Sequence, residues 1–325
     1  MSKTIALFDL DTPIYKAAAA CEQRTIEVTH TPTGATKIFK NRTEFKELLK
    51  SKDKLQLLEQ YEIKDQQEAE PLSHAIKLLK SQVEGTLDCI WPDHVVYMLS
   101  GPKNFRNDLP LPSPYKGTRS SIRPLLLKEL RQYAKKQFNA IQSDMEECDD
   151  MQVWMGYEEL NKGNKPVLIA SDKDAKAYSG LFLFNPDKPQ EGVNEIPALG
   201  EIFIDDKNKV RANGMMQYGL QMCVGDRIDS YAPTELCGVK FGEKSAYKLL
   251  KDCKTEQEIL CVVQKQYKLW YSSDFTYVDC HNNSTNSNWL GMMQLYHSCV
   301  RMKETRNDEL NVSEFFSKYG VELPQ

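Results

Sequence analysis

Three short apolar runs along the chain each end in a polar or acidic residue: Ile5 to Phe8 before Asp9, Val95 to Leu99 before Ser100, and Val167 to Ala170 before Ser171-Asp172. Short apolar runs bounded by polar punctuation predict buried strands. Between them apolar positions recur at helical spacing, as at Ala75-Ile76 with Leu78-Leu79 and through Pro124 to Phe138. Strands alternating with helices predict an α/β fold, with a mainly parallel sheet flanked by helices. In open sheets of this kind the working site lies beyond the carboxyl ends of the strands. Asp9 and Asp172 fall there.

Residues 30–71 break the pattern. They are rich in Lys, Glu, Gln and Thr, their helical stretches (Thr43 to Leu49, Leu55 to Tyr61) are highly charged, and they read as a solvated insertion. Short strands are expected at 181–184 and 201–204, the second followed by the turn Asp205-Asp206-Lys207-Asn208. From about 216 the pattern is mostly helical, interrupted at Tyr231 to Gly238 and at Asp279 to Ser287. The division expected is an α/β core over 1–215 and a helical module over 216–325.

Composition excludes several classes. The 325 residues carry 42 Lys and Arg against 46 Asp and Glu, a net charge of −4, which rules out a globally basic binder. With 41% apolar and 27% charged residues the chain reads as folded, not disordered. No apolar run approaches the ~18 residues of a membrane span, and the apolar stretch after Met1-Ser2-Lys3-Thr4 is too short for a signal peptide. Nine cysteines without a CxxC pair are expected to be reduced thiols in a cytoplasm.

The sharpest local chemistry is acidic. From Ile141 to Leu160 there are seven acids and no Lys or Arg, centred on Glu147-Cys148-Asp149-Asp150. Acids in a first helical turn stabilise a helix by roughly 0.3–1 kcal/mol each, which alone accounts for one cluster. Three further clusters stand at strand or helix ends: Asp9 with Asp11, Asp172 with Asp174, and Asp226 with Asp229. Carboxylates brought within ~3–6 Å of one another do not all remain ionised without cations between them. All-oxygen ligation favours Mg²⁺ or Mn²⁺, and only five histidines argue against zinc. Two such ions can bind a scissile phosphate and activate water.

A basic segment accompanies the acids. Between Gly101 and Lys136 lie nine Lys and Arg against two acids. Lys116, Arg119 and Arg123 recur at the spacing of one helical face, and cations near a carboxylate–metal centre suit a polyphosphate substrate. Tyr115 is placed to stack on an unpaired base or to pack in a turn. A solvated face is the plainer explanation of such a run in isolation.

Together these residues resemble the flap-endonuclease and 5′→3′ exonuclease superfamily of PIN-like nucleases, particularly its bacteriophage members. The matching pieces follow in order: Phe8-Asp9-Leu10-Asp11, Asn104-Phe105-Arg106, Tyr115-Lys116-Gly117-Thr118-Arg119, Glu147 to Asp150, Ser171 to Asp174, Gly225 to Asp229, and Gly238 to Ala246. The resemblance spans residues 4 to about 252. It implies a PIN-like core, a basic arch at about 101–136, and a C-terminal helix–three-turn–helix module on duplex DNA. By it, Asp9, Glu147, Asp149 and Asp172 hold a first metal, with Asp150 in the same acidic set. Asp174, Asp226 and Asp229 serve a second, the ions being Mg²⁺ with Mn²⁺ as substitute. Lys116 and Arg119 act on the scissile phosphate. Tyr115 and Arg123 also contact DNA, and Gly238, Lys240, Gly242 and Lys244 grip the duplex, where the family allows a K⁺ ion. The implied enzyme is a monomer, not attached to a membrane, that hydrolyses DNA near 5′ ends or flaps, and RNA–DNA hybrids as a further substrate. Ser100, Ser230, Lys240-Phe241-Gly242 and the 30–71 segment depart from the family pattern.

Three alternatives stand beside this expectation: a PIN-type ribonuclease, a DNA-binding module without catalysis, and a haloacid-dehalogenase-type phosphatase. The last rests on Asp9-Leu10-Asp11-Thr12, but Pro13 occupies the position where that motif carries Thr or Val.

Overall fold

The three apolar runs lie side by side as neighbouring strands of one sheet. A computed structural model describes residues 2–119 and 122–324. In chain order these form β1 (Thr4–Asp9), α1 (Asp11–Ala20), β2 (Glu22–His30), β3 (Ala35–Phe39), α2 (Arg42–Ser51), β4 (Tyr61–Ala69), α3 (Leu72–Leu87), β5 (His94–Leu99), α4 (Leu127–Gln137), β6 (Ile141–Gln142), α5 (Cys148–Asn161) and β7 (Lys165–Ile169). There follow β8 (Phe182–Phe184), β9 (Val193–Glu195), β10 (Ile202–Ile204), β11 (Val210–Ala212), α6 (Gly214–Val224), α7 (Glu243–Leu250), α8 (Glu256–Trp270), β12 (Phe275–Val278), β13 (Ser284–Ser287), α9 (Trp289–Val300) and α10 (Val312–Ser317). The chain divides into two units, Met1–Leu10 with Gly85–Ser121 and Asn139–Gln325, and Asp11–Glu84 with Ile122–Phe138.

In the first unit the six-stranded sheet has the order β6-β5-β1-β7-β8-β9, parallel throughout except for the β8–β9 edge. The fold is therefore α/β with a mainly parallel sheet flanked by helices. The interior of β1 is buried from Ile5 to Phe8, so its residues are apolar without alternation, as strands covered on both faces require. Helix α5 lies close enough to the sheet that a Cβ added to Gly156 would stand 3.1 Å from a Leu181 methyl. Leu7, Met98, Trp154, Leu168, Tyr178 and Leu181 fill that core.

The boundary expected near 215 falls inside the first unit. One apolar cluster runs from Ile202, Val210 and Met215 to Tyr267, Tyr296 and Phe316, so no break in packing separates these residues. Tyrosine hydroxyls tie its segments together: Tyr267 donates to Met222 O at 2.9 Å and Tyr271 to Pro233 O at 2.6 Å. Asp279 to Ser287, read as an irregular interruption, lies largely in the hairpin of β12 and β13.

The second unit corrects the reading of 30–71 as a solvated excursion. Residues 22–69 contain a three-stranded antiparallel sheet of order β3-β2-β4, packed with α2 around Ile26, Val28, Phe39, Phe45 and Leu49. Strand β4, Tyr-Glu-Ile-Lys-Asp-Gln-Gln-Glu-Ala, carries too few apolar residues to signal a strand. Its nine-residue pairing with β2 supplies the backbone bonds instead. The helix expected over Thr43 to Leu49 is present as α2, and Leu55–Gln60 is a 3-10 helix.

Among the described residues no helix is long and apolar enough to cross a membrane, and none of the nine cysteines is in a disulfide.

Candidate active site

Every acidic cluster expected at a strand or helix end, apart from Asp11, lies in the first unit. Asp9 closes β1 beside Met98 of β5. Asp149 is in the first turn of α5, two residues after the cap residue Glu147. Asp172 and Asp174 follow β7 at the mouth of a 3-10 turn, where the Asp174 N–H donates to Asp172 Oδ1 at 3.0 Å. Asp226 and Asp229 follow α6 through Gly225, whose φ of +74° is left-handed, and a Cβ there would lie 2.4 Å from Tyr231 O. The Asp226 side chain then shapes its own loop, accepting from Ile228 N–H at 2.7 Å.

The electrostatics show the acids acting on one another. Desolvation, then the charges of Asp9, Asp172 and Glu147, push the Asp149 carboxyl well above the usual carboxylate range. Asp174 is raised in the same direction by burial, then by Asp172, with Asp226 and Asp229 adding to it. Burial works to raise Asp226 as well, but the Lys173 ammonium at 2.7 Å and the loop N–H groups outweigh it and hold Asp226 low.

Cations of the chain occupy the rim. Lys116 pairs with Glu147 and stands 3.9 Å from Asp229, while Arg119 reaches Asp229 Oδ1 at 2.8 Å. Tyr115 is buried, and its hydroxyl lies 3.0 Å from Glu147 Oε2 and 2.9 Å from Asp229 Oδ2, which share its single proton. It packs face to face with Tyr231, which takes the turn-packing role of the two foreseen for it. Among the described residues no set of three or more His, Cys, Asp or Glu side chains stands in a metal-coordinating arrangement. The carboxylates are instead interleaved with Lys116, Arg119 and Lys173.

Two expectations change. Asp150 does not face the other acids as a ligand. It is fully buried, and its oxygens accept from Arg106 Nη1 at 2.6 Å and Nη2 at 2.9 Å, from Glu147 N–H at 3.0 Å and from Lys303 N–H at 3.2 Å. Lys116, Arg119 and Arg123 do not share a helical face. Residues 115–118 form tight turns with Lys116 at φ +56°, and the next helix begins at Leu127. Gly117 and the flanking Pro114 and Pro124 disfavour a helix there. Ser120 and Ser121 lie outside the described residues. Arg123 belongs to the second unit, where its carbonyl accepts from Gln67 at 2.9 Å. Arg131, in that unit, pairs with Asp11 and is not a solvated bystander.

Gly238, Lys240 and Lys244 are exposed, Gly238 has φ +66°, and Gly242 caps α7. A Cβ on either glycine would meet nothing within 4 Å, so the loop backbone is open to a ligand.

Sequence reasoning missed four contributors. Ser100, noted only as a replacement for an acid, accepts from Cys148 N–H at 3.1 Å and so holds the start of α5. Arg106 was part of a matching motif without a role. Lys173, inside an acidic cluster, reads as a charge balance. Gln221 is one of two buried glutamines, with Gln217, in the mainly apolar α6, and it donates to Asp174 Oδ1 at 2.5 Å. That last oddity is the one signal the sequence offered. The chain matches no known family profile and no curated protein.

Proposed function

We propose that the chain is a metal-dependent 5′ nuclease of PIN-like fold that hydrolyses phosphodiesters of DNA near 5′ ends or flaps, with RNA–DNA hybrids as further substrates. The observation that carries this reading is the electrostatic coupling of Asp149 to Asp9, Asp172 and Glu147, beyond the carboxyl ends of parallel strands and beside Lys116 and Arg119. Crowded carboxylates of this kind call for cations.

The chemistry of the donor set suits a hard divalent ion, while its carboxylates, paired with Lys116, Arg119 and Lys173, do not stand in a coordinating arrangement among the described residues. The set is all oxygen, and the buried Ser171 Oγ and Gln221 Oε1 near the acids have no hydrogen-bond partner. Asp9, Glu147, Asp149 and Asp172 would hold a first Mg²⁺, and Asp174, Asp226 and Asp229 a second. Bound there, the ions supply phosphate charge neutralisation and activation of water. Lys116 and Lys173 neutralise Glu147 and Asp226 of the same set.

The chain's own groups do the rest. Arg119, exposed beyond Asp229, reaches the scissile phosphate and stabilises charge that develops there. Tyr115 holds Glu147 and Asp229 in register through one hydroxyl proton shared between them. In this reading the Gly238 to Lys244 loop and helix α7, which it leads into, act as part of the helix–three-turn–helix clamp, with Lys240 and Lys244 on phosphates and a K⁺ ion at the loop. The phosphatase alternative requires Asp11 as the acid beside Asp9, but Asp11 is committed to Arg131.

The test is digestion of 5′-labelled duplex, flap, single-stranded and RNA–DNA hybrid substrates. Cleavage is expected with Mg²⁺ or Mn²⁺ and none with EDTA. Hydrolysis in EDTA, or no hydrolysis of any substrate with Mn²⁺, would refute the proposal. Cleavage confined to RNA would favour the ribonuclease.

A further inference from the structure

Helix α6 presents buried side chains along nearly its whole length, and Gln221 is one of them, 2% exposed. A glutamine so deep in an apolar helix normally has both ends of its amide paired. Here only one end is. The Nε2 group donates to Asp174 Oδ1 at 2.5 Å, while Oε1 is buried and accepts from nothing. Because the two amide atoms share one carbon, the unpaired oxygen stands beside the Asp174 carboxylate. Ser171 Oγ, at the end of β7 and just before Asp172, is buried and unpaired as well.

The Gln221 oxygen, an acceptor only, lacks a hydrogen donor, and the Ser171 hydroxyl, able to donate or accept, lacks either partner. Mg²⁺ and Mn²⁺ retain several water ligands in protein sites, and those waters are donors needing acceptors. Groups that bind ligands and ligand waters from outside orient the site, and their loss costs about 10–100-fold in metal affinity.

We infer that Gln221 is a positioning residue for the second cation: its N–H fixes the Asp174 carboxylate, and its Oε1 accepts a hydrogen from a water on that ion. The inference rests on the reading of the acids as a divalent-cation centre and adds to it a residue that touches neither substrate nor metal directly. Gln221 acts through Asp174 and through water.

The experiment is Mn²⁺ titration of the full chain without nucleic acid, followed by electron paramagnetic resonance of free Mn²⁺. Thermal melts of each variant verify folding. The parent is expected to show a tighter and a weaker site, both lost or weakened in Asp172→Asn. Gln221→Met keeps the volume and removes both amide functions. It should weaken the weaker site by roughly 10–100-fold and leave the tighter one within a few-fold. Gln221→Asn keeps the amide but withdraws it by one carbon, and should weaken the same site by a smaller factor. Unchanged Mn²⁺ affinity in whichever of the two variants is folded overturns the inference while leaving the cation centre standing. A parent that binds no Mn²⁺ sensitive to Asp172→Asn overturns the centre itself, and the inference with it.

Discussion

Removing the guanidinium of Arg106 should unfold the first unit at a markedly lower temperature without removing a metal ligand. Arg106 is 2% exposed and Asp150 fully buried, so the pair between them has almost no access to water. The guanidinium also donates from Nε to Cys299 O at 3.3 Å and from Nη2 to Arg301 O at 2.7 Å, tying the loop after β5 to the end of α9. Arg106→Met leaves those carbonyls and a buried carboxylate without their main partner. Breaking one side of such a pair costs about 3–5 kcal/mol. Asp150 keeps its backbone N–H bonds from Glu147 and Lys303, which places the loss toward the lower end. At roughly 2–4 °C per kcal/mol for a unit of this size, the melting temperature should fall by about 6–16 °C. Asp150→Leu should cost a similar amount. The double substitution should cost less than the sum by about 1–3 kcal/mol, since it strands neither charge. Circular dichroism melts and urea unfolding read all four corners of the cycle. A loss below about 1 kcal/mol for Arg106→Met, or strictly additive singles, would refute the view of this pair as a buried tie. Asp150→Asn should meanwhile leave Mn²⁺ binding intact, which separates it from the neighbouring Asp149.

Burial, then Arg301 and Lys318, hold the imidazole of His297 well below its ordinary value, and it shares a hydrogen bond with Tyr218 at 2.8 Å. The unfolded chain therefore takes up the proton first. His297 should cost nothing above about pH 6.5 and should erode stability as pH falls below that, by up to about 1.4 kcal/mol per unit. Urea titrations at pH 7.5 and 5.5 should show a smaller drop for His297→Gln, and an equal drop in both proteins would contradict the assignment. Asp149→Asn should abolish Mg²⁺-dependent cleavage yet raise the melting temperature in EDTA, because it removes one of several mutually repelling carboxylates. Retained cleavage would remove Asp149 from the site. Arg119→Ala should lower the single-turnover rate by 10²–10³ with only a few-fold loss of affinity, whereas Lys128→Ala should do little. Lys116→Ala should show the same kinetic loss and a lower melting temperature, since Lys116 also neutralises Glu147. Lys240→Ala and Lys244→Ala should each reduce the log–log salt slope of DNA binding by about one unit at unchanged saturated turnover. An unchanged slope would mean that the loop does not grip phosphates.

What the sequence determined by itself is what local pattern encodes. Runs such as Ile5 to Phe8 and Val167 to Ala170 are apolar throughout because strands covered on both faces need no alternation, and that signature survives without neighbours. The punctuation after them, and after helix α6, marked Asp9, Asp172, Asp174, Asp226 and Asp229 as candidate positions for chemistry. Tertiary structure decided which groups each acid meets. Asp149 and Asp150 are adjacent and chemically identical, yet one faces three other carboxylates and the other is closed off by Arg106, forty-four residues away. Nothing local separates them, because the sorting depends on a strand, a loop and the end of α9 converging. The same holds for Gln221 with Asp174 and for the polar strand β4, which is a strand only because β2 pairs with it. Propensity and period are properties of a segment, whereas ion pairs, orphaned oxygens and sheet edges are properties of an encounter.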